Sequence, residues 1–147
     1  MADNDGNNLI EATGQEAAEF EKMLGILKRK QAAIARLETE EIRKIVGEEL
    51  DELNNIRVAE EKRAAILKRL ALAGIDVNDT SALAAKLGRE NSENYLKLQA
   101  GFRKVYEQVV QLNNITNVVL LHSIAFIRQN IRILTDNGNR KLVDKKA

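Results

Sequence analysis

The 147 residues carry 23 Lys and Arg against 22 Asp and Glu, and a formal net charge of +1 offers no field to draw nucleic acid or anionic lipid. Cys is absent and His occurs once, which removes disulfides, thiolate chemistry and the usual zinc ligand sets, so no metal and no cofactor is expected. With no Pro and 3% aromatic residues, the chain is made of helix formers and lacks the aromatic lining of a small-molecule pocket, so the expectation is an all-α protein that is not an enzyme.

Residues 1–14 hold Asn and Gly clusters and the acids Asp3, Asp5 and Glu11 without a cation, a composition that predicts a disordered acidic tail. The acidic, polar start is unlike a secretory leader, and no run approaches the roughly eighteen apolar residues of a membrane span. A soluble, cytoplasmic protein without membrane insertion is expected. From Gln15 the steps change to three, four or seven. Phe20, Met23, Leu24, Leu27, Ile34 and Leu37 fall on one side of a helix predicted over 15–37. Gly25 inside it costs about 1 kcal/mol relative to Ala and marks a bend or a close backbone contact.

Thr39 is placed to cap a second helix, with Glu40 and Glu41 at the positive end of its dipole. Ile42, Ile45, Val46, Leu50, Leu53, Ile56, Ile66, Leu67 and Leu70 carry that helix over 40–72. Without a break before Thr39, residues 15–71 would make one rod of about 85 Å, too long for one chain to cover. Gly74 can close helix two in the left-handed conformation, and Asp79 or Thr80 can cap a short helix over 80–87. Gly88 stops it, and Ser92 is placed to cap a last helix over 93–135. Its stripe runs Tyr95, Leu98, Phe102, Val105, Val109, Leu112 in heptad steps, then Thr116, Leu120, Ile124, Ile127, Ile131, Leu134 after extra four-residue steps. Together these segments are expected to form one domain over 15–137, an elongated antiparallel bundle of three to four coiled-coil-like helices. Residues 138–147 are expected to form a basic, flexible tail.

Candidate chemistry is thin. Glu48, Glu49, Asp51 and Glu52 fan out by about 100° per residue and cannot converge on one ion, so they read as a solvated face. His122 has no carboxylate within seven residues on either side to orient it as a base. The informative stretch is 109–134. There Val118, Val119, Leu120 and Leu121 are consecutive, so the helix is apolar most of the way round and must be covered on more than one side. Either it is a central core helix, or it receives an amphipathic helix from a partner.

Glu61-Lys62-Arg63-Ala64-Ala65-Ile66-Leu67-Lys68-Arg69-Leu70, then a linker, then Asn114-Ile115-Thr116-Asn117 leading into Val118-Val119-Leu120-Leu121-His122-Ser123-Ile124-Ala125-Phe126-Ile127, resembles the FlgN-type flagellar export chaperones over residues 20–135. Unlike many relatives, this chain has no aromatic residue in 136–147. The resemblance implies a cytosolic, ATP-independent chaperone. It would hold hook–filament junction subunits soluble, cover their terminal amphipathic helix with its own C-terminal helix, and deliver them to the flagellar export apparatus. Val119, Leu120, Ile124, Ile127, Ile131 and Leu134 are the expected contact surface, with Asn114 and Asn117 setting helix register through hydrogen bonds. The alternative is a structural coiled coil that pairs with a second copy of itself as a homodimer and has no client.

Overall fold

The computed structural model describes the backbone of residues 3–134 and the side chains of residues 4–117. Four helices follow one another, α1 (Asp3–Ala35), α2 (Thr39–Leu72), α3 (Thr80–Ala85) and α4 (Arg89–Leu134), and the described residues contain no strand. The all-α class expected from composition is the one observed.

The N-terminal residues are helical rather than a tail. Residues 3–14, expected as a disordered tail, are the first turns of α1, and Leu9, Ala12 and Thr13 are buried there. The cause is a seam with steps of four and three that runs Leu9, Thr13, Glu16, Phe20, Met23, Leu27, Lys30, Ile34. Three of its positions are polar, yet Thr13, Glu16 and Lys30 are all buried. Each has a partner inside the bundle: the Thr13 hydroxyl donates to the Leu9 carbonyl at 2.7 Å, Glu16 pairs with Arg63, and Lys30 with Glu49 at 2.8 Å. Paired in this way, polar groups cost little to bury and the seam continues through them.

Between α1 and α2 the chain turns back rather than running on as one rod. The Leu37 amide donates to the Ile34 carbonyl and the Glu38 amide to the Ala33 carbonyl, the two bonds of a Schellman closure. Leu37 sits at the position that usually holds Gly, with φ of +55° and its side chain 63% exposed. A branched side chain in that region is strained. Leu37→Gly is therefore expected to stabilise the fold by about 1 kcal/mol, read as a higher urea midpoint at unchanged slope; an unchanged midpoint would show that no strain is held there.

Helix ends otherwise fall within a few residues of those expected. Thr39 is the first residue of α2 rather than its cap, and Glu38 occupies the cap position without a side-chain bond. Gly74, at φ of +90°, closes α2 through its own amide to Ala71 and the Ile75 amide to Leu70. Asp79 caps α3 by accepting from the amides of Ser81 and Ala82 at 3.0 and 3.2 Å. α4 begins at Arg89, four residues before the start expected, because the Gly88 carbonyl accepts from the Ser92 amide at 2.8 Å and completes the first turn. Gly25 makes no close approach; open space surrounds the position its Cβ would take.

α1 is the middle helix. It packs against both α2 and α4, while among the described residues no Cα of α2 comes within 8 Å of a Cα of α4. At one end Leu9, Ile66, Leu70, Leu83, Leu87 and Tyr95 make a cluster to which all four helices or their connections contribute. Further along, Met23 and Leu27 of α1 meet Ile56 of α2 and Val109 of α4. Full burial of a Leu such as Leu9 or Leu70 contributes about 2 kcal/mol, so these clusters hold the helices in register.

Candidate functional site

Ion pairs fix α2 antiparallel to α1, from Lys30–Glu49 near the turn to Arg69–Asp5 at the far end. α4 runs parallel to α1. Asn91 bonds Asn7, 84 positions earlier, and the Phe102 ring lies 5.3 Å from that of Phe20. Carried forward, this register sets Ala35, the last residue of α1, level with residue 118 or so. α2 begins at that same end. α4, however, continues to Leu134, which is about 24 Å of helix beyond the α1–α2 turn. No described residue of α1 or α2 stands level with it.

The seam that faces α1 is the one the spacing of α4 predicts: Tyr95, Val109 and Thr116 are buried, and Leu98, Phe102, Val105 and Leu112 are half-buried. The Thr116 hydroxyl donates to the Asn113 carbonyl at 3.0 Å. Of the predicted contact residues, Asn114 and Asn117 are exposed on α4, and Ile115 between them is 40% exposed. Val119, Leu120, Ile124, Ile127, Ile131 and Leu134 lie on the helical backbone of α4 but outside the residues whose side chains are described, as does His122.

A second apolar stripe, one position along from the core seam, escapes a reading for a single buried face. Leu96, Tyr106 and Val110 are 42%, 48% and 41% exposed. Counting back from Leu134 by alternate steps of three and four passes through Asn117, Asn113, Val110, Tyr106, Arg103 and Gln99 to Leu96, and this was the signal available. The stripe borders a groove of about 540 Å³ between α2 and α4, lined by Arg63, Leu96, Gln99, Phe102, Arg103 and Tyr106 among others.

α4 is thus a long helix that presents a partly uncovered apolar stripe and runs on past the bundle that supports it, and apolar surface of this kind is what a second helix buries when it docks. The family described as FlgN protein matches residues 1–143. The chain belongs to the FlgN family. No curated protein and no solved structure matches it. FlgN proteins are flagellar chaperones, and the match includes the N-terminal turns of α1 that composition alone concealed.

In this FlgN-family chain the acidic cluster of α2 is not one solvated face. Glu48 pairs with Arg29 and Glu49 with Lys30, while Glu52 is buried against α1. Glu48, Glu49 and Glu52 meet three different partners while Asp51 is exposed, and among the described residues no group of His, Cys, Asp or Glu could hold a metal ion. Burial pushes the Tyr95 phenol up, against the opposing pull of the Arg63 guanidinium. Among the described residues no helix is long and apolar enough to cross a membrane.

Proposed function

We propose that this FlgN-family chain is a cytoplasmic chaperone of flagellar type III export. It holds hook–filament junction subunits by laying the projecting part of α4 against their terminal amphipathic helix, and passes them to the export apparatus. Val119, Leu120, Ile124, Ile127, Ile131 and Leu134 supply the apolar contact, and Asn114 and Asn117 set the register of the client helix by hydrogen bonds. The observation that supports this reading is the register of α4: its most aliphatic stretch lies beyond the end of α1, where no other described helix stands level with it. Burying each such side chain against a client contributes about 2 kcal/mol, which suffices for tight binding without ATP.

The test is calorimetry with the terminal helix of a junction subunit. Binding with a negative heat-capacity change is expected, and Ile127→Asp or Ile131→Asp should weaken it about 100-fold by placing a charge in an apolar seam. Unchanged affinity in both variants, or no binding by the parent chain, overturns the reading. A permanent dimer that these variants split, seen by light scattering, would instead favour the self-pairing coiled coil.

A further inference from the structure

Three grooves between the long helices, all lined by described residues, differ in charge. The α1–α2 groove is lined by Glu48, Asp51 and Glu52 together with Lys22 and Arg29, and two of those acids and both cations are engaged in side-chain contacts within the bundle. The α1–α4 groove is small, about 190 Å³. The α2–α4 groove is larger and has no acidic residue in its lining, yet it holds two guanidinium groups. That of Arg63 is taken by Glu16 and lies 5.6 Å over the Phe102 ring. That of Arg103 is exposed, and among the described residues no carboxylate lies within 4.0 Å of it. Around it stand half-exposed apolar side chains, Leu96 and Tyr106 on α4 and Val110 one turn further along.

We infer that this groove is a second docking zone, which takes an acid-flanked stretch of the same client helix and sets a carboxylate against Arg103. The inference rests on the function proposed above and extends the site onto the bundle itself. The occupant is a helix because the heptad positions of the groove continue into those of the projecting segment: Leu96, Arg103, Val110, Asn117, Ile124 and Ile131 are spaced seven apart. On a straight helix such a stripe drifts by about 20° per heptad, so a client that follows it winds left-handed around α4, from the projection into the groove. The occupant is acidic because the groove presents one uncompensated cation and no anion. An acid set there gains an ion pair, whereas a basic flank would bring like charges together.

Two fluorescent amphipathic peptides about four heptads long, with Leu in the seam and either Glu or Lys on the flanks, test the charge rule against the full chain by anisotropy. The Glu peptide should bind about tenfold tighter than the Lys peptide, less so as salt rises, and Arg103→Glu should reverse the preference. Equal binding of the two peptides, or an unchanged preference in Arg103→Glu, overturns the inference. A junction subunit provides the second arm. Weakening of about tenfold by Arg103→Glu or Leu96→Asp, besides the loss caused by Ile127→Asp, supports the extended site. Loss with Ile127→Asp alone overturns the groove while leaving the chaperone reading intact. Absence of subunit binding by the parent chain overturns both. Helicity matching the parent in each variant confirms that folding is unaffected.

Discussion

Replacing Arg63 with Ala is expected to cost about 3–5 kcal/mol, a large share of the stability of a domain this size. The reason is Glu16. Its side chain is 3% exposed in the middle of α1, and Arg63 of α2 is the cation paired with it. Without the guanidinium the carboxylate stays buried and unpaired, and Phe102 loses the charged plane above its ring. Urea unfolding should show a midpoint far below that of the parent. Arg63→Lys should recover only part of the loss, since an ammonium cannot match the planar guanidinium that stacks on the ring. The double variant Glu16→Leu with Arg63→Leu should return close to parental stability, because replacing both charges by apolar groups removes the desolvation cost along with the attraction. A double variant as unstable as Arg63→Ala would mean that packing, not the unpaired charge, sets the penalty.

The same pair explains what was legible in the sequence and what was not. Where seam positions are apolar, as at Tyr95 and Val109 of α4, periodicity identifies the buried face. Where the seam is held by polar groups paired across helices, as at Thr13, Glu16 and Lys30, it reads as surface; thus the first turns of α1 look like a tail although Leu9 is fully buried. Local chemistry placed the turns well, since Asp79 and Gly74 act through neighbouring amides alone. Leu37 gives no such warning, as nothing in its side chain favours positive φ. The candidate site was half visible. Four consecutive aliphatic residues announce a helix with more apolar surface than one face can use, but the position of that stretch beyond α1 depends on the parallel register of α1 and α4. That register comes from tertiary contacts such as Phe20–Phe102, which no local pattern encodes. The groove stripe lies one position from the core stripe, so a reading for one buried face merges the two.

Parallel packing of α4 on α1 also divides α4 in two, and the proposed function gives each part its own role. Up to about residue 117 its core seam serves the bundle; beyond the turn no other described helix stands opposite it. The bundle can thus be stable without a client, and changes in the projecting segment should alter binding more than folding.

Stability should fall as pH rises above the ordinary glutamate range, and Glu52→Gln should remove that fall. Glu52 of α2 and Glu19 of α1 face each other, and Glu52 Oε1 and Glu19 Oε2 are both buried without a donor. One proton between them satisfies both. Burial first, then the neighbouring Glu19, pushes the Glu52 carboxyl above its usual value of 4.5, while Asn55 pulls the other way by donating to Oε2 at 3.1 Å. Glu19 is held below 4.5, chiefly by the hydrogen bond from Glu52 and secondarily by Lys22, against its own burial. The raised Glu52 contributes stability that is complete below 4.5 and lost as pH climbs through its folded value; the lowered Glu19 contributes stability present above 4.5 and lost as pH falls through its own. In Glu52→Gln the amide supplies the donor at every pH and titrates nowhere. Relative to the parent, the variant should gain about 1 kcal/mol at neutral pH and nothing near pH 4, followed by urea midpoints across that span. If the difference between the two chains does not change with pH, or if Glu52→Gln is the less stable at neutral pH, the two carboxyls do not share a proton.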